Sequence, residues 1–387
     1  MAEMTPRERV MTALRHEEPD RVPLDIGSGT SNSLLIEAYE NLKAYMGISA
    51  PTRVMAHVTR VAYLDEEMMT RLGSDMRPIR PRGPKNWRPP PSDPDTLIDE
   101  YGCRWRRALY TGGHYWELAY SPLADATLAD VDAHQWPDPD DPGRFEGLLE
   151  ETQDLYNNTA YALVGCSGFQ TFWQPVFWLR GLEQALMDLL INEALMFAIL
   201  DRLFEISAAI TRRFLEITGP YLTVVRTADD LATQTSLLMS PATYRKMIKP
   251  YHKRFNALIR QYTDATIFFH CCGNIAPLMD DLIDAGFEAL HPVQVSAIKD
   301  PAGLKARYGD RVSFWGGIDS QHVLPYGTPE EVRDEVRLRI AQLGAGGGYI
   351  AGAVHNIQPD VPPQNILAMS EAVREFGAYP IAWAPVS

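Results

Sequence analysis

Hydrophobic and polar positions along the chain fall into short apolar runs separated by longer stretches with helical spacing. From residue 145 onward the order is regular. Apolar runs that read as buried strands occupy residues 161–166, 222–225, 266–269, 288–293, 311–315 and 347–351, each too short for a helix. Between and after them lie stretches expected to be helical, at 181–215, 241–262, 276–285, 300–308, 329–344 and 363–376. The first of these carries Leu186, Leu189, Leu190, Leu195, Phe197 and Leu200 at amphipathic spacing. Two earlier runs, 22–25 and 76–79, bring the strands to eight. Strand–helix alternation implies parallel strands, and eight of them imply closure, so the expected fold is α/β, a (β/α)8 TIM barrel. No Gly-x-Gly-x-x-Gly follows an early strand, which disfavours an open doubly wound sheet.

Two segments depart from the repeat. At the start, Thr5 reads as an N-cap with Pro6 at the first helical position, so a helical extension precedes the barrel. Between about 80 and 140, Pro84, Pro89, Pro90, Pro91 and Pro94 break any helix. Residues 105–118 then alternate like a hairpin turning at Tyr110 to Trp116. This reads as an insertion into one barrel domain covering 1–387, with further helices expected at 34–45, 65–72 and 147–156.

Composition narrows the function more than the fold. Hydrophobic residues make up 45% and charged residues 22%, ordinary for a soluble enzyme. Acidic residues outnumber basic ones, 50 to 36, for a formal charge of −14, so nucleic acid and anionic membranes are poor partners. No apolar stretch reaches the roughly 18 residues of a membrane span, and the first residues lack the apolar core of a signal peptide. The expected location is cytoplasmic. Cys103, Cys166, Cys271 and Cys272 are no disulfide framework in so long a chain.

The chemistry concentrates at one strand end. Ile267-Phe268-Phe269 runs into His270-Cys271-Cys272 and then a Gly273-Asn274 turn. Alternate residues of a strand share a side, so His270 and Cys272 can hold one ion while Cys271 points away. Imidazole and thiolate suit zinc, and a catalytic zinc wants three protein ligands and an open position. His355, beyond the last strand, is the candidate for the third, because the eighth strand's mouth can face the fifth's. The competing reading makes the cysteines small buried hydrophobes and His270 a satisfied strand-end residue.

Other polar residues also sit where a barrel places its active site, at or just after strand ends: Asp25, Cys166, Asp229, Asp230, Gln294 and Asp319. Asp229 and Asp230 diverge as loop neighbours, one expected to orient substrate and the other to cap a turn. Gly316 and Gly317 permit close approach to a ligand at Asp319. His291, before Pro292, reads as structural. Phe169, Phe172, Trp173 and Trp178 follow the third strand and are assigned to the wall of a substrate pocket rather than to plain core.

These residues carry a family likeness. Met4 to Leu14 with Asp20-Arg21-Val22-Pro23, Ala228-Asp229-Asp230-Leu231-Ala232-Thr233-Gln234, His270-Cys271-Cys272-Gly273, Trp315-Gly316-Gly317-Ile318-Asp319 and His355 through Pro363 resemble the uroporphyrinogen decarboxylase superfamily. Within it they resemble the corrinoid-linked methyltransferase branch. The resemblance spans nearly the whole chain and implies a TIM barrel. The decarboxylases use no metal and place arginines after the first strand to hold substrate carboxylates; here that loop, Gly27 to Leu34, has no Arg. The methyltransferases have His-x-Cys at the fifth strand and a further Cys at the eighth, binding a zinc that activates a thiol. His270 and Cys272 match the first two, and His355 stands at the third. A neutral His for an anionic Cys leaves the site one charge more positive. A histidine occupies that position in the decarboxylases too.

The resemblance therefore implies a zinc-dependent methyltransferase moving a methyl group between a small methylated or methoxylated compound, or a thiol or folate acceptor, and cobalamin carried by a separate corrinoid protein. The chain has no Asp-x-His-x-x-Gly corrinoid motif of its own. His270, Cys272 and His355 are the candidate catalytic and metal-ligating residues. Asp229, Asp230, Gln234, Gln294, Asp319, Phe172 and Trp173 are the candidate substrate-binding residues. A homodimer is implied by resemblance. The alternatives are a metal-free decarboxylase and a noncatalytic binder of a corrinoid protein.

Overall fold

A computed structural model describes residues 3–110, 113–166 and 172–381. Seven parallel strands form one curved sheet in the order Tyr349–Ala353, Ser313–Ile318, Ala289–His291, Thr266–His270, Val224–Ala228, Ala162–Cys166, Met76–Ile79. The eighth member, expected at 22–25, is reduced to a single parallel bridge between Leu24 and Ala351. Pro23 has no N–H to give a ladder, yet its carbonyl accepts from Ala351 N (2.9 Å), and Asp25 N donates to the Ala351 carbonyl (2.9 Å). On its other side the Leu24 carbonyl accepts from Asp75 N (2.9 Å). The segment thus joins the two edge strands and closes the (β/α)8 barrel.

The helices differ in detail from the sequence expectation. The stretch 181–215 is two helices, Leu182–Ile191 and Glu193–Thr218, because Asn192 leaves helical geometry (φ −142°, ψ 55°). The stretch 241–262 likewise divides into Pro241–Met247 and Lys249–Ile259, since Pro250 has no N–H to carry the ladder through the junction. The expected hairpin pairs Arg104–Tyr110 with Gly113–Tyr120, and Thr96–Ile98 adds a third strand; Thr111 and Gly112 of its turn lie outside the described residues. A two-stranded ribbon, Arg53–Ala56 with Val61–Tyr63, was not legible in the pattern.

Period-two alternation sorts each barrel strand into two faces. Outward residues such as Leu163, Val225, Ile267, Phe269, Leu290 and Phe314 join the core shared with the helices. Inward residues Met76, Ala162, Val164, Val224, Phe268, Ala289, Trp315 and Ile350 fill the barrel, and Val10 of the helix Pro6–Leu14 packs against them from below. That helix starts as expected: the Thr5 hydroxyl accepts from Glu8 N and the Glu8 carboxylate accepts from Thr5 N, a capping box.

One carboxylate ties the extension to the closure. Asp75, buried, accepts from Arg9 Nη1 (2.7 Å), from both terminal nitrogens of Arg21 (2.9 Å each) and from Leu24 N (2.8 Å). Arg9 is itself buried, so losing Asp75 would leave its charge with Asp20 alone. We expect Asp75→Ala to destabilise the chain by about 3–5 kcal/mol, read from the denaturant midpoint. A loss below about 1 kcal/mol, the scale of an exposed ion pair, would show that Asp20 alone compensates Arg9.

Candidate functional site

Two residues beyond the apolar layer, the same inward face continues as Cys166, Arg226, His270 and His291 at the C-terminal rim. Phe268 is the floor beneath them. Its ring stacks on His291 (centroids 5.4 Å apart), meets Trp315 edge-on (4.9 Å) and lies under the Arg226 guanidinium (4.6 Å).

His270 ends its strand and Cys272 lies just past it. The Cys272 Sγ stands 3.5 Å from His270 Nε2, and the His355 ring sits edge-on to His270 with centroids 5.4 Å apart. One donor atom from each of the three lies within 4.8 Å of the others. A tetrahedral zinc with bonds of ~2.3 Å to sulfur and ~2.0–2.1 Å to nitrogen separates such ligands by ~3.5 Å, so the closest pair already fits and the triangle is slightly open. The donor set and spacing suit zinc. Cys271 faces the outer layer, its sulfur 3.2 Å from Leu231 N.

Each corner is held from behind. His270 Nδ1 and His291 Nδ1 are 2.7 Å apart, the two residues being register neighbours on adjacent strands. For His270 to offer its Nε2 lone pair, its proton sits on Nδ1 and is donated to His291. The Ala353 carbonyl lies on the other side of His291 and acts on the ring, without forming a full hydrogen bond at Nε2. Cys272 N donates to Asp230 Oδ1 (2.8 Å) and Gly273 N to Gln294 Oε1 (2.7 Å). At Gly273, φ is +91° and a Cβ would lie 2.4 Å from the Thr233 carbonyl, so only glycine fits the turn. Behind His355, Asn356 accepts from Ser33 N (3.0 Å) and donates to the Thr30 carbonyl (2.7 Å).

Burial sets the protonation. It depresses His270 well below the ordinary imidazole range, with His355 and Arg226 adding to the effect, and it takes His355 to about 4, Arg226 contributing. Both imidazoles are therefore neutral ligands at neutral pH. Burial, then Asp230, pushes the Cys272 thiol up; a bound cation would displace that proton.

Of the sequence candidates, His270, Cys272 and His355 come together, and Asp230 lines a cavity of about 900 Å³ that opens beside the two histidines. Cys166 lines it too, and most of the others are engaged elsewhere. Asp229 is 0% exposed. Its carboxylate accepts from the backbone N–H of Trp173 and Gln174 (2.9 Å each) and bonds His252 Nε2 (3.0 Å), capping the helix Trp173–Arg180. Phe172 and Trp173, both 0% exposed, are core behind the wall, because that cap turns them inward; Trp178 does line the cavity, and Phe169 lies outside the described residues. Gln234 is exposed and pairs with Gln321 (3.3 Å). Gln294 is buried and serves the Gly273 turn, and Asp319 caps its own turn at Gln321 and His322. Sequence reasoning missed His291, Arg80, Arg226 and the insertion's Trp87 and Trp116, which also line the cavity apart from His291. For His291 the signal was available: a second histidine ends the next strand in matched register.

A polar site at the C-terminal rim of a closed (β/α)8 barrel defines a barrel enzyme. The family described as Uroporphyrinogen decarboxylase (URO-D) matches residues 121–376, and the chain belongs to it. Among curated relatives, the uroporphyrinogen decarboxylase of Methylococcus capsulatus is 36% identical over 98 residues, 25% of this chain and 27% of that one. The Methylcobamide:CoM methyltransferase MtaA of Methanosarcina barkeri is 30% identical over 155 residues, 40% of this chain and 42% of that one. The uroporphyrinogen decarboxylase of Ectopseudomonas mendocina is 27% identical over 277 residues, 69% and 74%. The matches to the first relatives span only 27%, 39% and 38% of their lengths. A methyltransferase from Methanosarcina mazei shares the fold, with TM-score 0.64 at 20% identity, covering 97% of this chain and 99% of that one.

If the His291 imidazole orients His270, His291→Phe should weaken Zn2+ binding by roughly 10–100-fold, measured by competition with a chromophoric chelator. Unchanged affinity would assign His291 to packing on Phe268 alone.

Proposed function

We propose that this chain is a zinc-dependent methyltransferase that moves a methyl group between a small substrate and the corrinoid of a separate protein. The observation that carries the reading is the meeting of His270 Nε2, Cys272 Sγ and His355 within 4.8 Å at the barrel mouth. Its companions support it: the imidazoles are held neutral, His291 is placed to fix the His270 tautomer, and Asp230 and Gln294 set the backbone that presents Cys272.

A zinc ion held there would act as a Lewis acid on the heteroatom that gains or loses the methyl group, lowering its pKa. The chain's own residues supply the rest. His270, Cys272 and His355 would hold the ion beside the cavity, and two neutral imidazoles with one thiolate would set the charge around it. In this reading the cobalt centre is presented by a partner across the open mouth. The relative named as a methylcobamide methyltransferase is consistent with such a partner.

A metal-free decarboxylase is the second reading, favoured by the relatives named uroporphyrinogen decarboxylase. Elemental analysis separates the two. We expect about one zinc per chain in protein grown with ample zinc, and its loss, together with methyl transfer from methylcobalamin, in Cys272→Ser. Zinc-free protein that decarboxylates its substrate would overturn the proposal.

A further inference from the structure

Among the described residues, no carboxylate forms an ion pair with two arginines at the cavity. Arg226 projects inward from Val224–Ala228, and Arg80 follows Met76–Ile79; both line the cavity that His270 and His355 also border. Arg226 is 7% exposed, and among the described residues nothing receives a hydrogen bond from its buried Nη1. Its place is set by the Phe268 ring below and by Gly29, where a Cβ would come within 1.7 Å of Nη1. Arg80 donates Nη1 to the Met55 carbonyl (2.7 Å) and leaves its Nε buried and unpaired.

The acids around the cavity are all engaged elsewhere. Asp93 caps its own turn at Asp95 and Thr96, Asp99 accepts from Trp105 Nε1 (2.9 Å), Glu100 pairs with Arg144, and Asp230 holds Cys272 N. Asp25 reaches Arg226 only through its field; its carboxylate is taken by Ser28 Oγ (2.7 Å) and Trp315 Nε1 (2.9 Å). A guanidinium keeps its proton even when buried, so two positive charges border the cavity, Arg226 buried and Arg80 half-buried, with no ion-pair partner among the described residues, an arrangement that is costly unless an anion joins them. Apolar side chains also line the cavity: Trp87, Trp116, Trp178, Leu97 and Ile98.

We propose that this site takes a small aromatic oxyacid, its carboxylate or sulfonate held by Arg80 and Arg226 and its ring against the tryptophans. That the atom exchanging the methyl group points toward His270 and His355 rests on the function proposed above; the anion site does not. A neutral methyl donor would leave both guanidinium groups unpaired, which is the basis for discrimination.

Quenching of tryptophan fluorescence and calorimetry on the full chain, with and without added Zn2+, test this with 4-methoxybenzoate, 4-methoxybenzenesulfonate, methyl 4-methoxybenzoate and 2-mercaptoethanesulfonate. We expect the two aromatic acids to bind at least tenfold more tightly than the ester. Arg226→Gln and Arg80→Gln should each weaken the acids by on the order of tenfold or more and leave the ester unchanged, whereas Arg226→Lys keeps part of the preference. Ligand-free Arg226→Gln should also melt at a higher temperature than the parent, since it removes an unpaired buried charge. Equal binding of acid and ester, a preference that survives both Gln variants, a lower melting temperature in Arg226→Gln, or tight binding of 2-mercaptoethanesulfonate with none of the aromatic acids would each overturn the assignment. Acid binding in protein that never takes up zinc would sustain this site while refuting the metal-dependent reaction.

Discussion

The site stands on one packing constraint, the two-layer filling of the barrel interior. A parallel strand shows every second residue to the inside, and the lower inward layer is wholly apolar, with Phe268 and Trp315 as its largest members. The next inward position on each strand has nowhere to go but the rim. Arg226, His270 and His291 are therefore lifted out of the core by the same rings that exclude water from beneath them. Replacing that floor with smaller side chains would remove the surface against which the guanidinium and the outer imidazole are held.

Closure of the barrel matters as much as its floor. His355 leaves from the strand Tyr349–Ala353, which would be a sheet edge without the segment around Leu24. The ladder between Pro23, Asp25 and Ala351, continued by Asp75, fixes the last strand against the first. Asn356 then pins the loop that carries His355 to Thr30 and Ser33. The third corner of the triangle thus depends on residues about 330 positions away in sequence, whereas His270 and Cys272 are held by His291, Asp230 and Gln294, some 20 to 40 positions away.

Barrel architecture and the His-x-Cys pair were legible because both are local: strand length, helical spacing and side-alternation are written in neighbouring residues. Asp229 was misplaced because its partners, the backbone of Trp173 and Gln174 and the His252 ring, are 23 to 56 positions distant. Phe172 and Trp173 went to the wall instead of the core for the same reason, since the cap that turns them inward belongs to another strand. Arg80 and Arg226 gave no signal at all. A single arginine beside an apolar run reads as a strand terminus reaching water, and only the closed barrel reveals that both border one cavity. His291 was discounted on its proline neighbour, when its register against His270 was the informative feature.

The charges at the rim act on one another in a way that links the histidines to the arginines. Burial, with Arg226 adding to it, lowers the basicity of His270 and His355, which keeps protons from competing for the nitrogens a metal would need. The same positive field would oppose any cation placed among them, and the Cys272 thiol, once deprotonated, would offset it. An anion seated on Arg226 would screen that field and strengthen cation binding. Since coupling between two sites is reciprocal, the cation would in turn strengthen the anion's hold. Were His355 a neutral third ligand, this balance would be completed from the cavity side, by an anion held on Arg80 and Arg226.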